Sequence, residues 1–476
     1  ILGALILGRK LGEATPGERR IGVLLPNVNG VAVTLFGLWF HGRTPVLLNF
    51  TAGPRNILSA CETAELKTVV TSRRFVDTAK LDEVIAAIGK GCRIVYLEDV
   101  RKGIGAFDKV VGVVRSFFAR AAARRAGDDP DAPAVILFTS GSEGVPKGVV
   151  LSHANICANA AQIWALADGM LSADDVAMNP LPVFHSFGLT AGMMLGLLNG
   201  MRVVLYPSPL HFKQVPKLVR ETGATLLFAT DTFLVGYARA ADGDDLAGLR
   251  NVVTGAEKVK ESTRALWSRW PAAILEGYGC TECSPVLACN TPDDNRHGTV
   301  GRLMQSIDAR LEPVEGIVEG GKLVVRGPNV MLGYMLASDP GRIQPPENGW
   351  HDTGDIVDIS EEGFVTIKGR AKRFAKIGGE MVSLAAVETL ASSIWPGATH
   401  VAVSLPDPKK GEQIVLITDK PDADRGEFIA AAKGHGAVEL QFPRAILVVG
   451  SIPVLGSGKI DYPAATEVVK RMRALI

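Results

Sequence analysis

Residues 138–148 read Phe-Thr-Ser-Gly-Ser-Glu-Gly-Val-Pro-Lys-Gly, and no other stretch constrains the chain so tightly. An apolar run, Ala134 to Phe138, delivers the backbone into three glycines, three hydroxyls and one lysine. Backbone N–H groups at Gly141, Gly144 and their neighbours can approach a polyphosphate, because no Cβ stands in the way. Thr139, Ser140 and Ser142 add hydroxyl donors, and Lys147 adds a cation. The order is not that of the common Gly-Lys-Ser/Thr loop: Pro146 precedes the lysine and Gly148 follows it. The competing reading is a polar surface turn after a strand.

The remainder of the chain limits what such a loop serves. With 476 residues it buries at least one large core, and two or three domains are expected. Its 51 basic and 50 acidic residues give a net charge of +1, which offers no general electrostatic reason to expect nucleic acid as a partner. Six cysteines in so long a chain do not make a disulfide framework, so reduced thiols and a cytoplasmic location are expected. Cys280-Thr-Glu-Cys283 has metal-like spacing but no second pair to match it. No apolar run reaches the roughly 18–20 residues of a membrane span; Val31–Phe40 and Leu189–Leu198 fit buried elements. The chain opens on Ile1 without the charged start of a signal peptide, so a fragment with its natural start upstream is expected.

Short β-rich runs alternate with helical windows through the first 280 residues. Ile21–Leu25, Val46–Leu48, Thr68–Thr71, Ile94–Leu97, Val135–Phe138, Val203–Tyr206, Leu226–Ala229 and Val252–Thr254 read as buried strands. Such alternation predicts an α/β architecture with largely parallel sheets. From about Gly321 strands and Gly-rich turns take over, and after Arg370 a compact region follows that mixes strands with two or three helices. The main boundary is placed at Gly369–Lys372. One segment stands apart: Phe107, Val110, Val111, Val114, Phe117, Phe118, Ala121 and Ala122 recur at helical spacing among arginines. Two readings are open, an ordinary helix docked by its phenylalanines and a basic amphipathic helix in peripheral contact with an anionic membrane.

Five further motifs follow the loop in order. They are Pro182-Val-Phe-His-Ser-Phe-Gly188, Gly255-Ala-Glu257, Glu276-Gly-Tyr-Gly-Cys-Thr-Glu282, Trp350-His-Asp-Thr-Gly-Asp355, and Lys368-Gly-Arg-Ala-Lys-Arg373 with the terminal Gly456-Ser-Gly-Lys459. Together they resemble the adenylate-forming enzymes, the superfamily of acyl-CoA synthetases, luciferases and peptide-synthetase adenylation domains. The loop departs from the usual pattern once, with Glu143 where threonine is common. The resemblance implies a large α/β domain over residues 1–369, with stacked α/β subdomains and a β-barrel-like part. It further implies a hinge at 370–372 and a small mobile α+β domain over 373–476.

It also implies ATP and Mg²⁺ as cofactors and a role for each motif. A carboxylate attacks the α-phosphorus of ATP, giving an acyl-adenylate and pyrophosphate, so oriented cations and N–H donors are needed where charge builds. Lys459 would reach the α-phosphate and the carboxylate, Glu282 would ligate Mg²⁺, and Thr281 would meet the phosphates. The nucleoside would lie against Gly255, Ala256, Glu257 and Glu276 to Cys280. Here Tyr278 offers a flat face and Gly277 and Gly279 allow close approach. Asp355 and Arg370 match the ribose contacts, though a turn cap and a surface ion pair are their ordinary alternatives. Lys372 matches the pivot about which the small domain rotates between half-reactions, and Lys376-Ile-Gly-Gly-Glu380 would help form a thiol channel in the second pose.

Peptide-synthetase domains carry an aspartate for the substrate ammonium where this chain has His185, so amino acids are disfavoured. His185, also a catalytic candidate, with Val183, Phe184, Phe187, Gly188, Met193, Met194 and Leu195, and Thr232, Phe233, Gly255 and Ala256 opposite, are candidates for an apolar acyl pocket suited to a fatty acid. Ser-Gly-Ser-Glu-Gly-x-Pro-Lys-Gly and Gly-Arg-Ala-Lys-Arg-Phe-Ala-Lys-Ile-Gly-Gly-Glu-Met-Val resemble one branch in particular. It is the synthetase half of the bifunctional acyl-[acyl carrier protein] synthetase/2-acylglycerophosphoethanolamine acyltransferases. That implies loading of acyl carrier protein, in service of lysophospholipid reacylation, with Lys409-Lys410 and Lys372-Arg373 as docking candidates. Coenzyme A is the alternative acceptor, and a non-catalytic nucleotide- or acyl-binding scaffold is the reading from another class. No histidine is followed by the His-x-x-x-x-Asp spacing of the transferase half, so that second activity is expected to be absent from this chain.

Overall fold

The computed structural model describes residues 1–127, 129–140, 146–317, 319–378, 380–408, 410–435, 437–454 and 460–474. All eight runs read as strands are strands, to within two residues at each end. They build two sheets in which parallel pairing prevails. In the first, Pro133–Ser140, Thr44–Leu47, Arg20–Val23, Thr68–Thr71 and Arg93–Tyr96 lie side by side and parallel. In the second, Arg202–Leu205, Val176–Asn179, Leu226–Ala229, Asn251–Thr254 and Ala273–Gly279 do the same. Helices between consecutive strands cover the faces, so residues such as Val46, Val69, Leu227 and Val252 are fully buried. Asn27 ties the sheets together, donating from Nδ2 to the carbonyls of Asn179 at 2.8 Å and Tyr206 at 3.2 Å.

Within the first 280 residues three strands lie outside the sequence reading, each for a local reason. Val176–Asn179 has a single β-branched residue, Pro146–Ser152 begins on Pro-Lys-Gly, and Ala273–Gly279 contains two glycines. Sheet pairing on both sides overrides these weak propensities for Ala273–Gly279, which sits between Asn251–Thr254 and Val286–Cys289. The Gly-rich loop therefore caps an antiparallel hairpin, Pro133–Ser140 with Pro146–Ser152, in which Thr139 faces Lys147 across the ladder.

Where the pattern changes, an antiparallel sheet forms from Asp308–Glu312, Gly321–Arg326, His351–Ile359 and Val365–Arg370. A last sheet, Phe374–Ile377, Glu380–Ser383, His400–Asp407 and Gly411–Thr418 with Ala445–Val448, follows the proposed hinge. Its alternation feeds two cores: Ala402, Ile414 and Leu416 pack with Val387 and Phe428, whereas Val401, Val403, Val415 and Ile417 pack with Ala465 and Val469.

The arginine-rich segment is two helices, Ala106–Phe117 and Ala119–Ala126. The expectation that phenylalanines dock it is corrected. Phe107, Phe117 and Phe118 are 69%, 81% and 66% exposed, and the segment is held instead through Asp108 and Gly112. Asp108 accepts from the Gly105 N–H at 2.9 Å and pairs with Lys10 at 3.1 Å. Gly112 abuts Ile6, whose Cγ1 lies 2.3 Å from where a Cβ would stand. Among the described residues no helix is long and apolar enough to cross a membrane.

Candidate active site

Parallel strands bring their carboxyl ends to one edge of a sheet, and ligands collect in the crevice there. Here Thr139 follows Phe138, Thr230 follows Ala229, and Gly255 to Glu257 follow Thr254. All open on a single cleft of about 3590 Å³. The cleft also takes in Thr281, Glu282, Asp355, Arg370 and Lys372, so residues scattered over more than two hundred positions share one cavity.

At the phosphate end, Lys147 Nζ lies 5.5 Å from the centre of the Tyr334 ring, and the Tyr334 hydroxyl donates to Glu282 Oε1 at 2.7 Å. Burial and the Glu282 charge raise the Tyr334 hydroxyl well above the ordinary range, so it stays a donor at all physiological pH. Tyr334 belongs to no motif read from the sequence. Its position comes from strand Gly333–Leu336 pairing with Pro146–Ser152, a contact of long sequence separation. Thr281 Oγ1 lies 3.4 Å from Ser186 Oγ, which links the Thr-Glu turn to the His185 segment. Thr139 lines the cleft. Gly141, Ser142, Gly144, the Ser140 side chain and Lys459 lie outside the described residues. Val454 and Ile460, which form an antiparallel bridge on either side of residues 455–459, both line the cleft. A hydroxyl, a lysine and a hard carboxylate oxygen in one cavity fit a Mg²⁺-bound triphosphate.

Glu276, Gly277, Tyr278, Gly279 and Cys280 all line the cleft, with two of their side chains engaged in protein contacts. Tyr278 is 8% exposed and packs into the core with Cys283 and Leu287, so it presents little of its ring to a base. Its hydroxyl instead donates to Asp355 Oδ2 at 2.6 Å. The Glu276 carboxylate is committed to structure, receiving the Val259 N–H at 3.0 Å and pairing with Arg264. Asp355 is also the cross-strand partner of Arg370, whose Nε lies 3.0 Å from Oδ1. Burial pushes the Asp355 carboxyl above the usual carboxylate range, with Arg370 pulling the other way. Glu257 accepts from the N–H and hydroxyl of Thr232 at 3.1 and 2.9 Å. Ala256 holds a left-handed φ of 70°. At Gly279 a Cβ would lie 1.9 Å from the Pro285 carbonyl oxygen, so glycine is required where the chain doubles back.

Cys280 and Cys283 gain a third neighbour in His351, their ligating atoms all lying within 4.8 Å of one another. The Cys283 contact and burial push the Cys280 thiol well above its ordinary range.

The apolar side of the cleft is built on a π-helix, Phe187–Met194, running into the α-helix Leu195–Leu198. Phe184, His185, Phe187, Gly188 and Leu195 line the cleft, faced by Thr232, Phe233, Gly255 and Ala256. Val183, Met193 and Met194 do not: they point into the core beside Leu35 and Leu38 and are at most 5% exposed. Ile163, Leu166, Met170 and Ala191 extend the apolar wall and were not anticipated. Gly188 is tightly enclosed, since a Cβ there would meet the carbonyl oxygens of Pro182 at 2.3 Å and Leu181 at 2.6 Å.

Beyond Arg370 the chain makes a short 3₁₀ turn, Ala371–Arg373, that lines the cleft at Lys372. Arg373 is not a surface cation. It pairs with Glu388, donates to the Ala402 carbonyl at 2.8 Å and stacks 3.7 Å from the Tyr462 ring centre, which removes it from the expected carrier-docking patch. Lys410 is exposed, and Lys409 lies outside the described residues. Lys376 pairs with Glu315 at 3.1 Å.

Comparison with known proteins agrees with this geometry. Residues 7–335 match the family described as "AMP-binding enzyme". The chain is 29% identical over 475 residues to the (7a-methyl-1,5-dioxo-octahydro-1H-inden-4-yl)propanoyl:CoA ligase of Rhodococcus jostii (strain RHA1), covering 94% of this chain and 88% of that protein. It is 30% identical over 357 residues to the mitochondrial medium-chain acyl-CoA ligase ACSF2 of Macaca fascicularis, covering 71% of this chain but only 57% of that protein's length. O-succinylbenzoate coenzyme A synthetase (MenE) from Bacillus subtilis, solved with ATP and magnesium ion, superposes with a TM-score of 0.79 at 21% identity, covering 98% and 93% of the two chains. An adenylate-forming α/β fold, a cleft suited to a triphosphate and a family match over most of the sequence converge: the chain belongs to the AMP-binding enzyme family of ATP- and Mg²⁺-dependent ligases.

Proposed function

We propose that the protein activates an apolar carboxylic acid, of the fatty-acid class, and transfers the acyl group to the phosphopantetheine thiol of coenzyme A. In the first half-reaction the acid's oxygen attacks the α-phosphorus of ATP, and the bond to pyrophosphate breaks. In the second, a thiol attacks the acyl carbon and AMP leaves. Lys147, Thr139 and the 141–145 loop would hold the β- and γ-phosphates, with Lys459 neutralising charge at the α-phosphate. Mg²⁺, held by Glu282 with Tyr334 orienting its carboxylate, would screen the phosphate oxygens. Asp355 and Arg370 would take the ribose hydroxyls.

The observation supporting this reading is a single cleft that joins Lys147, Thr281, Glu282 and Asp355 to an apolar wall from Phe184 to Leu195. With His185 where an ammonium-binding aspartate would stand, the lobe favours an uncharged substrate tail. The names of the relatives favour coenzyme A over a carrier protein, and so does the loss of Arg373 from the basic patch. Acyl carrier protein stays as the second reading, supported by Glu143 in the loop and by the run from Gly369 to Val382.

Acid-dependent exchange of labelled pyrophosphate into ATP, across aliphatic acids of graded length, tests the first half. Parallel thioester assays with coenzyme A and with phosphopantetheinylated carrier protein test the second. Absence of exchange with every acid sinks the enzyme reading in favour of a binding scaffold, and thioester on the carrier alone sinks coenzyme A.

A further inference from the structure

We propose that the helices Ala106–Phe117 and Ala119–Ala126 form a docking face for an anionic lipid bilayer. Phe107, Val110, Val114 and Phe117 fall on one helical stripe with exposures of 69%, 61%, 53% and 81%, and Phe118 continues it at 66%. Contiguous apolar surface of this kind marks an interaction site. The stripe does not face outward through loose attachment. Asp108 and Gly112, on the opposite face, lock the first helix onto Leu2–Ala14 through the Lys10 ion pair and the Ile6 contact described above. Arg9, from that same supporting helix, sits 5.3 Å from the Phe107 ring centre and gives the patch a cationic rim.

Charge selects the occupant. Residues 101–125 hold seven lysines and arginines and one acidic residue, Asp108, which is buried and already paired. The chain as a whole carries only +1, so this concentration is local. A second copy of the same face would set like charge against like charge. An anionic bilayer satisfies both parts at once: phenylalanines enter the acyl boundary while the long basic side chains reach the headgroups. Each basic residue near such a surface raises partitioning by about fivefold. For the substrate class proposed above the consequence is supply, because long-chain acids themselves partition into lipid. The docking does not depend on that reading.

Flotation of the full chain with vesicles of phosphatidylcholine, with and without phosphatidylglycerol, tests it. Binding is expected on the anionic vesicles alone, weakening as salt rises. Phe117→Ser with Phe118→Ser, and separately Lys109→Glu with Arg120→Glu, should each lower the partition coefficient by at least about tenfold. Circular dichroism melting curves and pyrophosphate exchange with a short soluble acid should stay unchanged in both variants, which separates failure of docking from failure of the fold or of the ligase reading. Equal binding to neutral vesicles, undiminished binding by the variants, or no flotation at all would overturn the proposal. So would a solution dimer that the Phe117→Ser, Phe118→Ser variant abolishes, since the face would then belong to self-association.

Discussion

Asp355 is held from two directions, by the Tyr278 hydroxyl on Oδ2 and by Arg370 on Oδ1. Burial raises its folded-state pKa, so the ionised form is disfavoured by folding. The sign follows: below the unfolded pKa the group is neutral in both states and costs nothing, and the cost develops as pH rises through the folded value. Asp355→Asn is therefore expected to cut adenylate formation by about 10- to 100-fold, through loss of charge-assisted hydrogen bonds. The variant's melting temperature relative to the parent should be more favourable at pH 8 than at pH 4. Thermal melts at both values, beside exchange kinetics, check this; a relative stability that falls with rising pH would refute the assignment. Asp355 and Arg370 were legible in the sequence because they sit in recognisable motifs. Tyr334 was not, since only strand pairing brings it to Glu282, and the motif position of Glu276 does not disclose its partner Arg264.

Among the elements, the π-helix shapes the apolar side of the cleft, the proposed acyl pocket. Gly188 lets it press against the carbonyls of Leu181 and Pro182, so Gly188→Ala must displace backbone rather than a side chain. A destabilisation of about 1–3 kcal/mol is expected, typical of overpacking, together with a changed acid-length profile. Urea unfolding measures the first and exchange with graded acids the second; an unperturbed variant would show that the close approach is not required. Sequence gave the apolar content of this element but not its facing. Phe187, Ala191 and Leu195 recur at four-residue spacing toward the cleft, yet Leu189 and Met193 are equally apolar because the helix is buried on its other side too. Apolar residues all round leave no amphipathic signal to read.

At the scale of the molecule, the proposed cycle needs two arrangements of the region beyond Arg370. In the described arrangement Val454 and Ile460 line the cleft and Lys376 pairs with Glu315. Lys459→Ala should abolish pyrophosphate exchange by at least about a thousandfold while sparing thioester formation from synthetic acyl-adenylate. Lys372→Pro, which fixes φ at the pivot, should do the reverse. Equal loss of both half-reactions in either variant would count against rotation. The alternation of strands and helices made the two large sheets legible, and the switch to Gly-rich strands marked the third. The placement of the small region was not legible, because it depends on surface pairs such as Lys376–Glu315 that leave no periodic trace.

One register match joins these scales. Arg370 lies opposite Asp355 in the ladder and only two residues ahead of Lys372, so the proposed ribose contact and the proposed pivot share one short piece of backbone. On the proposed cycle, departure of AMP would free Arg370 beside the joint that must turn, so emptying the site and resetting the enzyme would be linked through two residues.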